Sequence, residues 1–240
     1  RLADAMFLCT GGAGLLAGVA VAAKAQRPDI KIIAVEAAAA ASFTASLAAG
    51  KPVNAPVRPT LADGLAVGRV GDRSFALAAP RVDRVLTVDE QALSLAVLRL
   101  LELEKTSCEG AGAAALAALM GEAGQELKGR KVVLLLCGGN IDPTVLHRVI
   151  DHGLALDGRL WRFTATVSDR PGGMAKLTQV IADAGASVLE INHDRAFSGP
   201  EVFSTTVEVT VETADQDHIQ SLHERLREAD FEVISATGSR

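Results

Sequence analysis

Four near-consecutive small residues, Gly11-Gly12-Ala13-Gly14, follow an apolar run that stops at Thr10 and precede an Ala/Leu/Val pattern reaching Lys24. A strand, tight turn and helix of this kind aim several backbone N–H groups into one concavity, with the positive end of a helix behind them. A phosphate is the natural occupant. The helix-end charge contributes only about 0.3–1 kcal/mol at an exposed site and roughly 2 kcal/mol when partly buried, so direct N–H bonds must do most of the holding. Side chains would obstruct that approach, which accounts for Gly11, Gly12 and Gly14; Ala13, whose methyl can still point away, is a mild irregularity. A second set of small and polar residues, Cys137-Gly-Gly-Asn140, ends the apolar run from Lys131 to Leu136.

Taken alone, the first loop has three readings. Gly12-Ala-Gly14-Leu-Leu-Ala17 also fits a dinucleotide fingerprint, and the next strand, Lys31 to Val35, ends at Glu36, where a ribose-binding carboxylate would sit. A phosphate cofactor, a dinucleotide and a plain glycine turn that lets a helix pack on a strand all remain open at this point.

Composition narrows the class. Of 240 residues, 49% are apolar and 22% charged, with a net charge of −5, which describes a globular protein and excludes a nucleic-acid binder that needs a basic face. No apolar run is long enough for a membrane span and no signal peptide opens the sequence, so a cytoplasmic location is expected. Cys9, Cys108 and Cys137 are odd in number and lack CxxC spacing, which argues against a disulfide framework or a structural zinc site. The opening, Arg1-Leu-Ala-Asp, leads straight into a buried-type strand, as in a chain whose beginning has been lost.

The elements that must position these residues follow in order. A small amphipathic segment around Phe43 and Leu47 closes at Gly50, and prolines between Lys51 and Pro59 impose an extended path. Arg81 to Val88 reads as a strand, and Thr87-Val-Asp-Glu90 as a capping box opening a helix with Leu93, Ala96, Val97, Leu100 and Leu103 on one face. Glu109-Gly-Ala-Gly-Ala-Ala-Ala-Leu begins an Ala-rich helix whose small residues permit close packing. Alternating strands and helices predict an α/β parallel-sheet domain over 1–152, with ligands at the carboxyl ends of its strands. Residues 153–159 read as a linker. Over 160–240 the pattern becomes βαββαβ, the order of a ferredoxin-like sandwich.

Four ordered motifs then become recognisable: Gly11-Gly-Ala-Gly-Leu15, Thr60-Leu-Ala-Asp-Gly-Leu-Ala-Val67, Glu109-Gly-Ala-Gly-Ala-Ala-Ala-Leu116 and Leu136-Cys-Gly-Gly-Asn-Ile-Asp142. Together they resemble the C-terminal part of threonine dehydratases (threonine ammonia-lyases), in the tryptophan-synthase-β-like class of pyridoxal-phosphate enzymes, with serine racemases as close relatives. The tail, with Asp169-Arg-Pro-Gly-Gly173 and Glu190-Ile-Asn-His-Asp-Arg195, resembles an ACT regulatory domain.

The resemblance implies pyridoxal 5'-phosphate as cofactor and assigns roles. Gly11, Gly12, Ala13, Gly14 and Leu15 would hold its phosphate, with Ala13 standing where the family usually has a fourth glycine. Cys137 matches the Ser or Cys facing the pyridine nitrogen, Glu109 a carboxylate near the ring, and Gly64 and Asn140 loop contacts around cofactor and substrate. Asp169, Arg170, Gly172, Gly173 and Asn192 would line an amino-acid effector site between paired ACT domains, so small-molecule amino acids and further copies of the chain are the expected partners, with neither nucleic acid nor membrane. Glu36 and the Ala40 carbonyl match a cation site of relatives, but Ser42 stands where serine racemases supply a carboxylate, and no metal is assigned. The implied reaction is α,β-elimination of a hydroxy amino acid to a 2-oxo acid and ammonia. None of Lys24, Lys31, Lys51, Lys105, Lys128, Lys131 and Lys176 lies in the family's lysine motif, so the chain is expected to be inactive alone. A non-catalytic amino-acid sensor and a dinucleotide-dependent oxidoreductase are the alternatives.

Overall fold

The computed structural model describes residues 3–193 and 203–235. They form two compact units, one ending at Ile150 and one beginning at Asp151. In the first, strands β1 (Ala5–Cys9), β2 (Lys31–Ala37), β3 (Arg84–Val88) and β4 (Val132–Leu135) make a sheet ordered β3-β2-β1-β4. Every pairing in it is parallel.

Alternation along the strands feeds two cores. Phe7 and Cys9 of β1 and Ile33, Val35 and Ala37 of β2 pack with helices α4 (Glu90–Leu103) and α5 (Gly110–Met120). Leu8, Ile32 and Ala34 face the other way, onto Leu16, Ala17 and Ala20 of α1 (Gly14–Gln26), Phe43 of α2 (Ser42–Ala49) and Phe75 of α3 (Asp72–Ala78). Covering on both faces explains why these strands read as unbroken apolar runs. Phe7, Leu8, Leu16, Ile32 and Phe43 are each fully buried, and removal of such a side chain from water is worth about 1.5–3 kcal/mol.

Three local expectations change. The third strand begins at Arg84 because the amides of Arg81 and Val82 both donate to the Ala78 carbonyl and close α3. The capping box at Thr87 does not form: Thr87 is held in β3 opposite Glu36, and Asp89 is the N-cap, accepting from the Ala92 amide at 2.8 Å. The linker expected over 153–159 is instead helical as far as Leu156. Helix α7 (Pro143–Leu156) is opened by Asp142, whose carboxylate accepts from both the amide and the hydroxyl of Thr144, with proline in the first turn. Between β4 and the earlier helices lies the short α6 (Glu122–Glu126).

The second unit has the order β5 (Leu160–Ser168), α8 (Gly173–Asp183), β6 (Ser187–His193), β7 (Ser204–Glu212), α9 (Gln216–Glu228), β8 (Glu232–Ser235), matching the expected βαββαβ. Its sheet is antiparallel where β6 and β5 flank β7 and where β8 pairs with β5. Trp161, Phe163, Ala165 and Val167 alternate inward against Leu177, Ile181, Leu222 and Leu226 of the helices. Asp194 and Arg195 of the tail motif lie outside the described residues.

Candidate cofactor site

The Gly11–Leu15 loop lies at the carboxyl end of β1. Ala13 adopts φ 63, ψ 10, the left-handed region, and is the N-cap of α1. A left-handed residue within a turn is one of the two conformations from which an anion nest is built. Among the described residues, the N–H groups of Gly11 through Leu15 have no acceptor. Ala13 is buried, within the core cluster that holds Leu16 and Ala17 of α1.

A wall of backbone closes one side of that loop. A Cβ on Gly11 would stand 3.2 Å from the Leu65 Cα and 3.3 Å from the Gly64 carbonyl oxygen. Gly64 lies in a 3₁₀ turn, Asp63–Leu65. The Gly12 carbonyl is tied to the Gly71 amide at 3.3 Å, so the loop is fixed from a second direction.

Cys137 follows β4, the strand that pairs in parallel with β1 through Leu8 and Leu135. The two small-residue loops therefore leave the same edge of the sheet from adjacent strands. Cys137 is half-buried at the margin of the core that holds Cys9 and Cys108. Burial first, then the neighbouring Cys137, pushes the Cys9 thiol up to about 11. Burial, then the Glu109 charge, raises Cys108 as well. Both shifts favour the neutral thiol.

Glu109 precedes α5 as its N-cap, yet its side chain makes no capping bond. The carboxylate enters a slot between two glycines: Oε1 lies 3.6 Å from where a Cβ on Gly64 would stand, and it would collide with a Cβ on Gly138. Gly110 and Gly112 are demanded by close approach on the two sides of α5. Their Cβ atoms would stand 2.5 Å from the Leu61 carbonyl oxygen and 2.7 Å from the Gly138 carbonyl oxygen respectively. Asn140 is exposed in the connection from β4 to α7.

Sequence reasoning missed two features. The Gly138 carbonyl accepts from both the Glu109 amide at 3.2 Å and the Cys108 thiol at 3.1 Å. Glu90, read as a cap, instead bonds the Thr60–Leu61 segment. Neither has a local signal, because both join residues about thirty positions apart.

Glu36 is fully buried and accepts from the Phe43 amide at 2.7 Å, the Thr44 amide at 2.8 Å and the Thr44 hydroxyl at 2.6 Å. It serves the start of α2 and is not presented to a ribose. Burial raises its pKa in spite of those three donors. Ser42 Oγ is buried with no partner among the described residues, and no cluster of three or more His, Cys, Asp or Glu suited to a metal occurs there.

In the second unit, Gly172 (φ +99) caps α8, the Gly173 amide donates to the Arg170 carbonyl at 3.1 Å, and Arg170 lies 5.1 Å over the Phe203 ring. The Asp169 amide donates to the Phe203 carbonyl at 2.9 Å. Asn192, on β6, donates to Glu190 at 3.2 Å and is separated from this turn by β7. Within one chain the structure does not bring Asn192 to Asp169–Gly173.

The residues present fit a phosphorylated pyridine: donor-only amides for the phosphate, a thiol at the other rim, and close approaches to the backbone at Gly11, Gly64 and Gly138 that a Cβ would fill. Residues 1–138 match the family model for "Pyridoxal-phosphate dependent enzyme" and residues 163–231 that for "ACT domain". An L-threonine ammonia-lyase of Thermotoga maritima is 37% identical over 93% of this chain and 55% of its own length. One from Geobacter sulfurreducens is 41% identical over 90% of this chain and 54% of its own. The structure of the processed form of threonine deaminase isoform 2 from Solanum lycopersicum superposes with a TM-score of 0.60 at 34% identity, over 62% of this chain and 44% of that one. The chain thus spans about half the length of the curated relatives it matches. By these matches and by its fold, the chain belongs to the pyridoxal-phosphate dependent enzymes, in the threonine dehydratase (ammonia-lyase) family with a C-terminal ACT domain.

Proposed function

We propose that this chain carries the phosphate-holding and ring-facing part of a threonine or serine dehydratase, an enzyme that eliminates the β-hydroxyl of an amino acid to give a 2-oxo acid and ammonia. The observation that carries the reading is the adjacency of β1 and β4, which sets Gly11–Leu15 and Cys137 at one sheet edge, with Glu109 held by the wall glycines. When bound, the cofactor supplies an electron sink for the substrate α-carbon. The amides of Gly11 to Leu15 hold its phosphate. The Cys137 thiol would face its ring nitrogen, and a thiol, a far weaker acid than a pyridinium, would leave that nitrogen unprotonated. The Glu109 carboxyl would lie beside the ring, and Gly64 and Asn140 would border the substrate. In the ACT unit, Asp169, Arg170, Gly172 and Gly173 of one copy, with Asn192 of another, take up an amino acid.

The chain alone is proposed to be inactive. Lys24 and Lys31 are engaged by Asp83, Lys105 by the Glu102 carbonyl and Lys176 by the Ala229 carbonyl. Lys51, Lys128 and Lys131 lie outside both site loops. The same placement favours a second reading, a non-catalytic amino-acid sensor built on a cofactor-type domain. Titration with pyridoxal phosphate and, separately, NAD, followed by absorbance and fluorescence, tests the two. A response to pyridoxal phosphate alone, lost in Gly11→Val, is expected. No response to either, with isoleucine or valine raising the melting temperature, would favour the sensor, and a response to NAD would defeat both.

A further inference from the structure

Glu90 is the first residue of α4, but its side chain does not serve that helix. Asp89 makes the cap, and the Glu90 carboxylate reaches to a segment thirty residues earlier. Its Oε1 accepts from the Thr60 hydroxyl at 2.5 Å and its Oε2 from the Leu61 amide at 2.7 Å. The Thr60 oxygen in turn accepts from the Ala62 amide at 3.1 Å, so three consecutive residues are tied to one carboxylate. Both bonds to the carboxylate are charge-assisted, the stronger class of hydrogen bond.

What this clamp holds is the wall of the cofactor site. The Leu61 carbonyl oxygen would lie 2.5 Å from a Cβ on Gly110, a Cβ on Gly64 3.1 Å from the Ala111 Cβ, and the Gly64 oxygen 3.3 Å from a Cβ on Gly11. The 60–65 segment is therefore wedged between the start of α5, which carries Glu109, and the phosphate loop. Ala62 and Leu65 bury their side chains in the core, but among the described residues no backbone group of the segment pairs with the sheet. We infer that Glu90 is a positioning residue for the cofactor site, holding the Thr60–Leu65 wall against Gly11 and Glu109 from outside the site. The inference rests on the cofactor reading above and adds a residue to it.

Two measurements on the full chain test it. Hydrogen exchange at the Leu61 amide should accelerate roughly tenfold or more in Glu90→Ala, as expected for loss of a hydrogen bond to a charged group, with the amides of α4 unchanged. Pyridoxal-phosphate affinity, read by fluorescence, should fall by a similar factor, and Glu90→Gln, which keeps one acceptor, should recover part of both effects. Unchanged exchange at Leu61, or equal acceleration throughout α4, would overturn the clamp. If the wild-type chain takes up no pyridoxal phosphate, the cofactor role falls together with the cofactor reading, and the exchange result alone then shows whether the wall is held as described.

Discussion

The Glu109 amide donates to the Gly138 carbonyl at 3.2 Å, while the Glu109 carboxylate occupies the space that a side chain on Gly138 would need. One residue thus uses both its backbone and its side chain on the same partner, fixing the loop after β4 to the start of α5. Gly138 also has φ +131, a conformation L side chains rarely adopt.

Gly138→Ala should therefore do two kinds of damage. Backbone strain costs about 1–2 kcal/mol, and Glu109 must leave its slot. Thermal unfolding should show a loss of a few kcal/mol. A second substitution, Glu109→Ala, should relieve the clash and make Gly138→Ala less costly than in the wild type. A double-mutant cycle with no coupling would show that the two residues do not compete for this space.

Ala13 poses the opposite question, since a glycine there would remove strain. The left-handed conformation costs a non-glycine residue about 1–2 kcal/mol. Against this, the methyl is buried and worth roughly 0.8 kcal/mol, and glycine adds about 0.5–1 kcal/mol of chain entropy to be lost. These terms nearly cancel, so Ala13→Gly should change unfolding stability by less than about 1 kcal/mol. Ala13→Val, β-branched at positive φ, should instead be strongly destabilising. Urea unfolding of the pair checks both, and a large loss in Ala13→Gly would show the methyl's packing to matter more than the strain.

What the sequence disclosed and what it hid divide along one line: contact range. Strands whose two faces are both buried announce themselves as apolar runs, and Gly11 to Gly14 announce a turn because backbone approach needs small residues in succession. Thr87-Val-Asp-Glu90 satisfied a local capping pattern, but pairing of Thr87 with Glu36 in the sheet took precedence and left Asp89 to cap. The change of pattern beyond Gly158 suggested a linker, yet an interior glycine costs a helix only about 1 kcal/mol, and the Asp142–Pro143 start carries α7 past Gly153 to Leu156. The partners of Glu90 and Glu109 depend on how distant loops meet at the sheet edge, which no window of neighbouring residues encodes.

Glu36 gives a pH dependence of one sign. Burial is the main influence and raises its pKa above the ordinary 4.5. A carboxyl whose folded value is raised contributes its full stability below the unfolded value and loses it as pH rises through the folded one. Glu36→Gln should abolish that decline above pH 4.5. It also sets an amide NH₂ near the Phe43 and Thr44 donors, costing about 1–3 kcal/mol at neutral pH. Unfolding free energies measured from pH 4 to 8 check this, and an unchanged slope would mean that Glu36 does not titrate differently in the folded state.

Asp83 should give the opposite sign. It bonds Lys24 at 2.9 Å, Lys31 at 3.0 Å and the Ile32 amide at 2.9 Å, and so ties the approach to β3 to α1 and β2. Burial alone would raise its pKa, but the bonds from Lys24, Ile32 and Lys31 together outweigh it and bring the group from 3.8 to about 2. Its contribution is therefore present above 3.8 and disappears as pH falls toward 2. Solvent reaches the carboxylate and screens both lysine pairs, which limits the effect to about 1 kcal/mol, and added salt should reduce it further. Asp83→Asn, which can still accept from Ile32, should lower stability by about that amount at pH 7 and flatten the acid limb of the profile. A variant as stable as wild type at low salt, with the acid limb intact, would place the acid sensitivity of this unit elsewhere.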